Sequence, residues 1–385
     1  LRSKTKFMEE GCAMEKTLSR GFGGPLQYVQ GPGEIKNLAK YTANCGRNVL
    51  AIIDAFLYQS ISAKLEESFQ DTDSRLMCMA GEGECSWKEI NRVIDASKEF
   101  QPEVIVGIGG GKTMDTAKMV AEQLSLPKII CPTSASSDAP TSALSVMYSD
   151  EGEHLGSIML KKHAEMVLLD TDIIISAPPR LFISGMGDAL ATYFEAHAIL
   201  DSDTPNHIGA GYKPTRLAIA IADLCYDILL EKGEFALACV KQGILTSAVE
   251  DVIEANTLLS GLGFENTGCV TAHGIHSGLT ILPQTASFLH GEKVAFGIVV
   301  ELVLENRSKE EIDKIMKFMV RVGLPVTLEQ FHVEPTEENI EAIAAKSLKS
   351  NLVSLEPFEV NMKNLVAAIK GANILGKTYL EAMKP

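Results

Sequence analysis

Three of the eight histidines in this 385-residue chain fall in one stretch: His273, His276 and His290. Thr271-Ala-His-Gly-Ile-His-Ser-Gly-Leu279 reads as a helix, which puts His273 and His276 on one face, three residues apart. His290-Gly-Glu-Lys-Val-Ala-Phe-Gly297 opens another helical run. Upstream, Gly185-Met-Gly-Asp188 reads as the start of a helix, with Glu195 two turns later on the same face as Asp188. Two imidazoles and one carboxylate make a catalytic zinc set that keeps one coordination position open. Spacing alone leaves a second reading standing, in which the histidines satisfy hydrogen bonds within a core.

A second constellation is Gly107-Ile-Gly-Gly-Gly-Lys-Thr-Met-Asp115, which follows an apolar run and opens a helical one. Glycines let backbone approach a phosphate closely, and a helix N-terminus adds free N–H donors and the positive end of the dipole. The loop fits neither standard nucleotide motif. Lys112 stands where G-x-G-x-x-G needs its last glycine, and Val106 stands where a P-loop needs its first. Asp54 closes an earlier apolar run. An acid at a strand end suits a ribose hydroxyl, although here it precedes the glycines instead of following them. Taken alone, Asp54 reads as a turn residue.

These residues need elements to hold them. Val49–Asp54, Val104–Ile108, Lys128–Cys131 and Val167–Asp170 are short β-branched runs of the kind that parallel strands buried on both faces show. Helical patterns lie between them, one from a Ser86 N-cap through Trp87, Ile90 and Ile94, another from Thr113 to Leu124. Such alternation predicts right-handed βαβ crossovers and an open parallel sheet. After Ser176-Ala-Pro-Pro-Arg180 the texture turns helical, over Leu217–Leu230, Phe235–Gln242, Ser247–Leu262 and Val360–Met383. The expected organisation is an α/β domain over residues 1–178 and an all-α domain over 179–385.

Composition narrows the function. Thirty-five basic against 50 acidic residues leave a net charge of −15, with no local basic patch, which excludes nucleic acid as the natural partner. No apolar run approaches the roughly 18–20 residues of a membrane span. Eight cysteines are scattered without a C-x-x-C, as suits buried thiols in a reducing compartment, cytoplasm or mitochondrial matrix. The first 20 residues carry Arg2, Lys4, Lys6, Lys16 and Arg20, and read either as a clipped targeting segment or as an ordinary terminus.

Taken together, Gly109-Gly-Gly-Lys-Thr-x-Asp115, Pro132-Thr-Ser-Ala-Ser-Ser-Asp-Ala-Pro140, Gly185-Met-Gly-Asp-Ala189, His273-Gly-Ile-His276 and His290-Gly-Glu-Lys-Val-Ala-Phe-Gly297 resemble the iron-containing alcohol dehydrogenase superfamily, and within it the glycerol dehydrogenase branch. The motifs occur in family order from about Gly24 onward. The resemblance implies a dehydroquinate synthase-like architecture, with the glycine loop in the α/β half and the metal in the helical half. It implies Asp188, His273 and His290 as metal ligands, with His276 lining the site. Iron-using relatives carry a further histidine where this chain has Thr192, so the resemblance favours Zn²⁺.

For the cofactor the resemblance implies NAD. Gly110, Gly111, Lys112, Thr113 and Asp115 match the pyrophosphate loop, and Thr133 and Ser136 match dinucleotide contacts. Ser142, Leu144 and Tyr148 match the nicotinamide side, and Asp54 matches the adenosine-ribose acid. Asp138 matches the acid that hydrogen-bonds a polyol, while Ser134-Ala-Ser departs from relatives with larger residues there. The implied reaction is glycerol plus NAD⁺ to dihydroxyacetone plus NADH, in a homo-oligomer, commonly an octamer. Alternatives are a related diol or polyol dehydrogenase, a dehydroquinate-synthase-like lyase, or a nucleotide-binding protein without redox chemistry.

Overall fold

The computed structural model of the chain describes residues 19–384, so most of the basic N-terminal segment, through Leu18 and including Cys12, lies outside the described residues. Six strands form one parallel sheet: β1 (Gln27–Gly31), β2 (Asn48–Asp54), β3 (Arg75–Gly81), β4 (Val104–Gly109), β5 (Lys128–Pro132) and, after a hairpin, β8 (Met166–Asp170). Their spatial order is β1-β8-β5-β4-β2-β3. The hairpin, β6 (Leu144–Tyr148) and β7 (His154–Met159), stands apart as an antiparallel pair.

The sheet is buried on both faces because its four interior strands, β2, β4, β5 and β8, are apolar along most of their length. Val49, Ala51 and Ile53 of β2 join Val104, Val106 and Ile108 of β4 on one face, under Ile61, Leu65 and Phe69 of helix Tyr58–Phe69. Leu50, Ile52 and Ile105 face the other way, toward Ile90 and Val93 of helix Trp87–Ser97 and Met114 and Ala117 of helix Gly111–Leu124. Period-two alternation thus feeds two cores from one strand. The second core runs on into the helical half, as far as Ala372.

After β8 every described element is helical. Pro179 occupies the first turn of helix Pro179–Asp201, where its missing N–H costs nothing. That helix begins nine residues before Asp188, so the aspartate lies in its third turn and not at its start. Gly185 and Gly187 continue the helix and let neighbouring backbone come close. Leu217–Leu230 and Phe235–Gln242 prove to be one helix, Arg216–Val240, carried through Gly233, where a Cβ would meet the Phe318 ring at 2.8 Å. The stretch from Ser247 is interrupted by a π-turn, Ala255–Leu259, before helix Ser260–Asn266. Among the described residues no helix is long and apolar enough to cross a membrane, and the seven described cysteines are free.

Candidate active site

The crossing of helices Pro179–Asp201 and His290–Leu304 builds the first part of the site. A Cβ on Gly291 would overlap the Ser184 carbonyl, and one on Gly187 would meet the Gly291 carbonyl oxygen at 2.5 Å. Only glycine permits this approach, and it sets Asp188 beside His290. Asp188 Oδ1 lies 3.0 Å from His290 Nε2 and 3.5 Å from His273 Nε2. One donor atom from each of the three residues falls within 4.8 Å of the others.

The outer partners fix which nitrogen each ring presents. His273 Nδ1 sits 2.7 Å from Glu195 Oε2, and His290 Nδ1 sits 3.1 Å from His276 Nε2. Each Nδ1 is therefore engaged and each Nε2 turns toward Asp188, the arrangement that metal-binding histidines use. Burial, then His290 and Lys293, push His276 well below the ordinary histidine range, so its neutral ring can accept from His290. Burial opposes ionisation of Asp188, but His290 and His273 prevail and hold its carboxyl well below the usual carboxylate range.

These residues fit a small divalent cation. Asp188 is fully buried, yet its Oδ1 takes no hydrogen bond, an unmet acceptor facing two imidazole nitrogens. A neighbouring trio, Glu195, Cys269 and His273, also lies close together. Burial pushes its thiol to about 12, and Glu195 is already committed to Val270 N, His273 N and His273 Nδ1. Glu195 thus serves as the support that aims His273.

The second part lies at the carboxyl ends of the strands. β2 runs on to β3 on one side, and β4 runs on to β5 on the other, so a topological switch point opens between β2 and β4. Asp54 and Gly109 end these two strands, and a Cβ on Gly109 would stand 3.0 Å from that of Asp54. Asp54 Oδ1 also accepts from Phe56 N at 3.0 Å, so the turn role read from sequence is real as well. Gly110 caps helix Gly111–Leu124 without any side-chain bond, and a Cβ on Gly110 or Gly111 would meet nothing within 4 Å. An open cradle over uncapped N–H groups fits a pyrophosphate. Lys112 is exposed near Glu84, and Thr113 is buried against Gly109.

Asp115 does not face that cradle. It is buried, its Oδ2 accepts from Val146 N at 3.0 Å, and Oδ1 lies 3.3 Å from Lys118 Nζ. Lys118, which sequence reading passed over, also donates to Ala139 O at 2.7 Å and Leu144 O at 2.9 Å. This buried ammonium clamps the loop after β5 to the glycine-loop helix. Its only sequence signal was a cation three residues after an acid on an otherwise apolar helix face.

That loop joins the two parts. Thr133 N donates to Gly109 O at 3.2 Å at one end, and Asp138 N to Asp188 Oδ2 at 3.3 Å farther on. Between them Ser184 Oγ donates to Ser136 O, and Asn256 Nδ2 to Ala135 O, at 3.1 and 3.0 Å. Ser136 Oγ lies 3.1 Å from Ser134 Oγ, and Ser142 Oγ donates to Ala139 O at 3.3 Å. Leu144 and Tyr148 mark the two ends of β6, and Tyr148 N donates to Cys85 O at 2.9 Å. Asp138 Oδ2 accepts from Ser260 Oγ at 3.0 Å, and burial and the Asp188 charge push its carboxyl well above the usual range. Asn256 and Ser260, on and just after the π-turn, were invisible as site residues in the sequence.

The chain is similar to known proteins over most of its length. Residues 25–171 match the family described as iron-containing alcohol dehydrogenase. A glycerol dehydrogenase of Citrobacter freundii is 42% identical over 92% of this chain and 98% of its own length. Among solved structures, glycerol dehydrogenase from Schizosaccharomyces pombe superposes with TM-score 0.89 at 34% identity, covering 96% of this chain and 94% of that one. A probable glycerol dehydrogenase from Sinorhizobium meliloti 1021 gives 0.88 at 39% identity, covering 94% and 100%.

Proposed function

The chain belongs to the iron-containing alcohol dehydrogenase family, in its glycerol dehydrogenase branch, and on that premise we propose that it oxidises glycerol to dihydroxyacetone with NAD⁺. The observation that carries this reading is Asp188 Oδ1, buried without a hydrogen bond and faced by Nε2 of His273 and His290. We assign these three residues to a zinc ion. Zinc is favoured over iron because Thr192, where iron-using relatives have a histidine, spends its hydroxyl on Ser260 at 3.0 Å.

Bound there, the metal would supply Lewis acidity to a substrate hydroxyl and the nicotinamide a hydride acceptor for its carbon. The chain's own residues do the rest. Asp188 brings charge into a buried position, and Glu195 and His276 hold the two imidazoles in the tautomers that present Nε2. Asp138 offers a carboxyl group beside the donor set to a second hydroxyl, which selects a vicinal diol over a monoalcohol. A site built to hydrogen-bond a hydroxyl rejects analogues lacking it by up to roughly 10⁴-fold. The uncapped N–H groups at Gly110–Gly111 take the pyrophosphate, and Asp54 takes the ribose hydroxyls and disfavours a 2′-phosphate. We set the domain boundary at Pro178–Pro179, with residues 1–178 carrying the cradle and 179–385 the donor set.

The test follows NADH formation from glycerol before chelation, after it, and after zinc is restored. Loss and recovery of turnover supports metal, cofactor and substrate class together. Full turnover in metal-free protein removes the donor set from the mechanism.

A further inference from the structure

A second group of acidic side chains lies away from the Asp188 site. Glu301, Glu305 and Glu356 bring one carboxylate oxygen each within 4.8 Å of one another. Glu301 sits near the C-terminal end of the helix whose first residue is His290, and its side chain is 0% exposed. Glu356, 5% exposed, follows a short 3-10 turn, Val353–Leu355. Glu305 has 8% of its side chain exposed. Carboxylates this buried need compensation.

The compensation present is partial. Glu301 Oε2 accepts from Ala272 N at 2.9 Å, and Glu356 Oε1 accepts a short hydrogen bond from Thr271 Oγ1. Glu305 Oε2 accepts from Arg307 Nε at 2.6 Å. Glu301 Oε1 and Glu356 Oε2 are buried and have no partner at all. The other charged groups bearing on the cluster, Glu195, Asp201 and Glu311, are acidic too. Once ionised, three carboxylates against one guanidinium leave two negative charges over, the charge of one divalent cation.

We propose that Glu301, Glu305 and Glu356 hold a second, non-catalytic divalent cation, bound through the two unpartnered oxygens and a Glu305 oxygen. An all-oxygen donor set selects a hard ion, and three protein ligands completed by water suit Mg²⁺ or Mn²⁺ better than a fully caged Ca²⁺. The position gives the ion a purpose. Glu301 and Glu356 are the groups that receive Ala272 N and Thr271 Oγ1, at the N-terminus of the helix that carries His273. An ion here ties the end of the His290 helix and the Glu356 segment to the start of the His273 helix, and so fixes one ligand helix relative to the other.

The experiment strips the full chain of metal, restores one equivalent of zinc, and titrates Mn²⁺ by electron paramagnetic resonance, with total metal counted by mass spectrometry. The expected result is one Mn²⁺ per chain in addition to zinc, displaced by Mg²⁺. Glu301→Gln and Glu356→Gln should each weaken Mn²⁺ binding at least tenfold and leave zinc content unchanged, while Asp188→Asn should lose zinc and keep Mn²⁺. Saturation at one cation per chain in the wild-type protein overturns the proposal, and that measurement stands even if a variant fails to fold. Retention of tight Mn²⁺ binding by both glutamate variants overturns it as well.

Discussion

Thr192 Oγ1 lies 3.0 Å from Ser260 Oγ, and Ser260 in turn donates to Asp138 Oδ2 at 3.0 Å. Because Ser260 spends its proton on Asp138 Oδ2, Thr192 must donate to Ser260. Thr192 therefore helps to orient Asp138, the acid we assign to the second substrate hydroxyl.

Removing the middle of that chain should separate substrate selection from metal binding. Ser260→Ala takes one hydrogen bond from the Asp138 carboxyl, a loss of about 0.5–1.5 kcal/mol, or roughly 2- to 10-fold. We expect that fall in kcat/KM for glycerol, little change for a simple secondary alcohol, and full zinc content. Equal losses on both alcohols would take Asp138 out of diol selection.

Glu195→Gln tests the support behind His273. The amide can no longer accept from three N–H groups with a full charge, so the ring loses its enforced orientation. Loss of such an outer partner costs roughly 10–100-fold in metal affinity. Competition with a chromophoric zinc chelator reads this directly, and an unchanged affinity would reduce Glu195 to a capping role.

The ammonium of Lys118 answers to three acceptors on two segments. Lys118→Met strands the buried Asp115 carboxylate with one backbone donor and frees Ala139 and Leu144. Breaking a buried pair from one side costs about 3–5 kcal/mol. Urea unfolding should show that loss, and the KM for NAD⁺ should rise because the loop is no longer clamped to the glycine-loop helix. A stability change below about 1 kcal/mol would contradict the clamp.

Glu356 gives a pH dependence of definite sign. Burial first, then Glu305 and Glu195, push its carboxyl to about 7, against the Thr271 hydrogen bond. The folded chain therefore holds a proton that the unfolded chain releases near pH 4.5. Its contribution to stability is fully present below that value and is lost as pH rises through about 7, on the order of 3 kcal/mol. In metal-free protein, unfolding midpoints should fall over this window, and Glu356→Gln should flatten the slope. An identical slope in the variant would assign the proton elsewhere.

What the sequence made legible follows burial. β2, β4, β5 and β8 are interior strands whose apolar runs are interrupted only at their ends, by Asn48, Asp54, Lys128 and Asp170, and composition alone locates them. The edge strands β1 and β3 carry Gln27, Gln30 and Arg75 and a run of Met and Cys, so only their pairing partners reveal them. The helical half was legible as helices but not in its joints. Gly233 reads as a break and is a packing contact, and nothing local announces the π-turn.

The site divides the same way. Asp188, Glu195, His273, His276 and His290 stood out by residue type, because acids and imidazoles in apolar helices need a reason, and the family resemblance picked three ligands from among them. Ser260 and Lys118 did not, because their roles are set by contacts that short-range patterns cannot carry: Ser260 meets Asp138 across 122 residues of chain. Asp115 shows the opposite error, a motif position whose side chain points into the scaffold.

The π-turn at Ala255–Leu259 has a further consequence. Widening by one residue loosens the carbonyl ladder, and the Thr257 carbonyl receives Thr141 Oγ1 at 2.9 Å, while Gly261 passes so close to the Asp138 carbonyl that a Cβ would not fit. The floor beneath the loop after β5 is thus encoded as a count of residues as well as a choice of them. Shortening that turn by a single residue would turn Ser260 away from Asp138 while deleting none of the proposed ligands and no glycine of the cradle. Such a chain would keep its ions and its nucleotide and lose its grip on the difference between one hydroxyl and two.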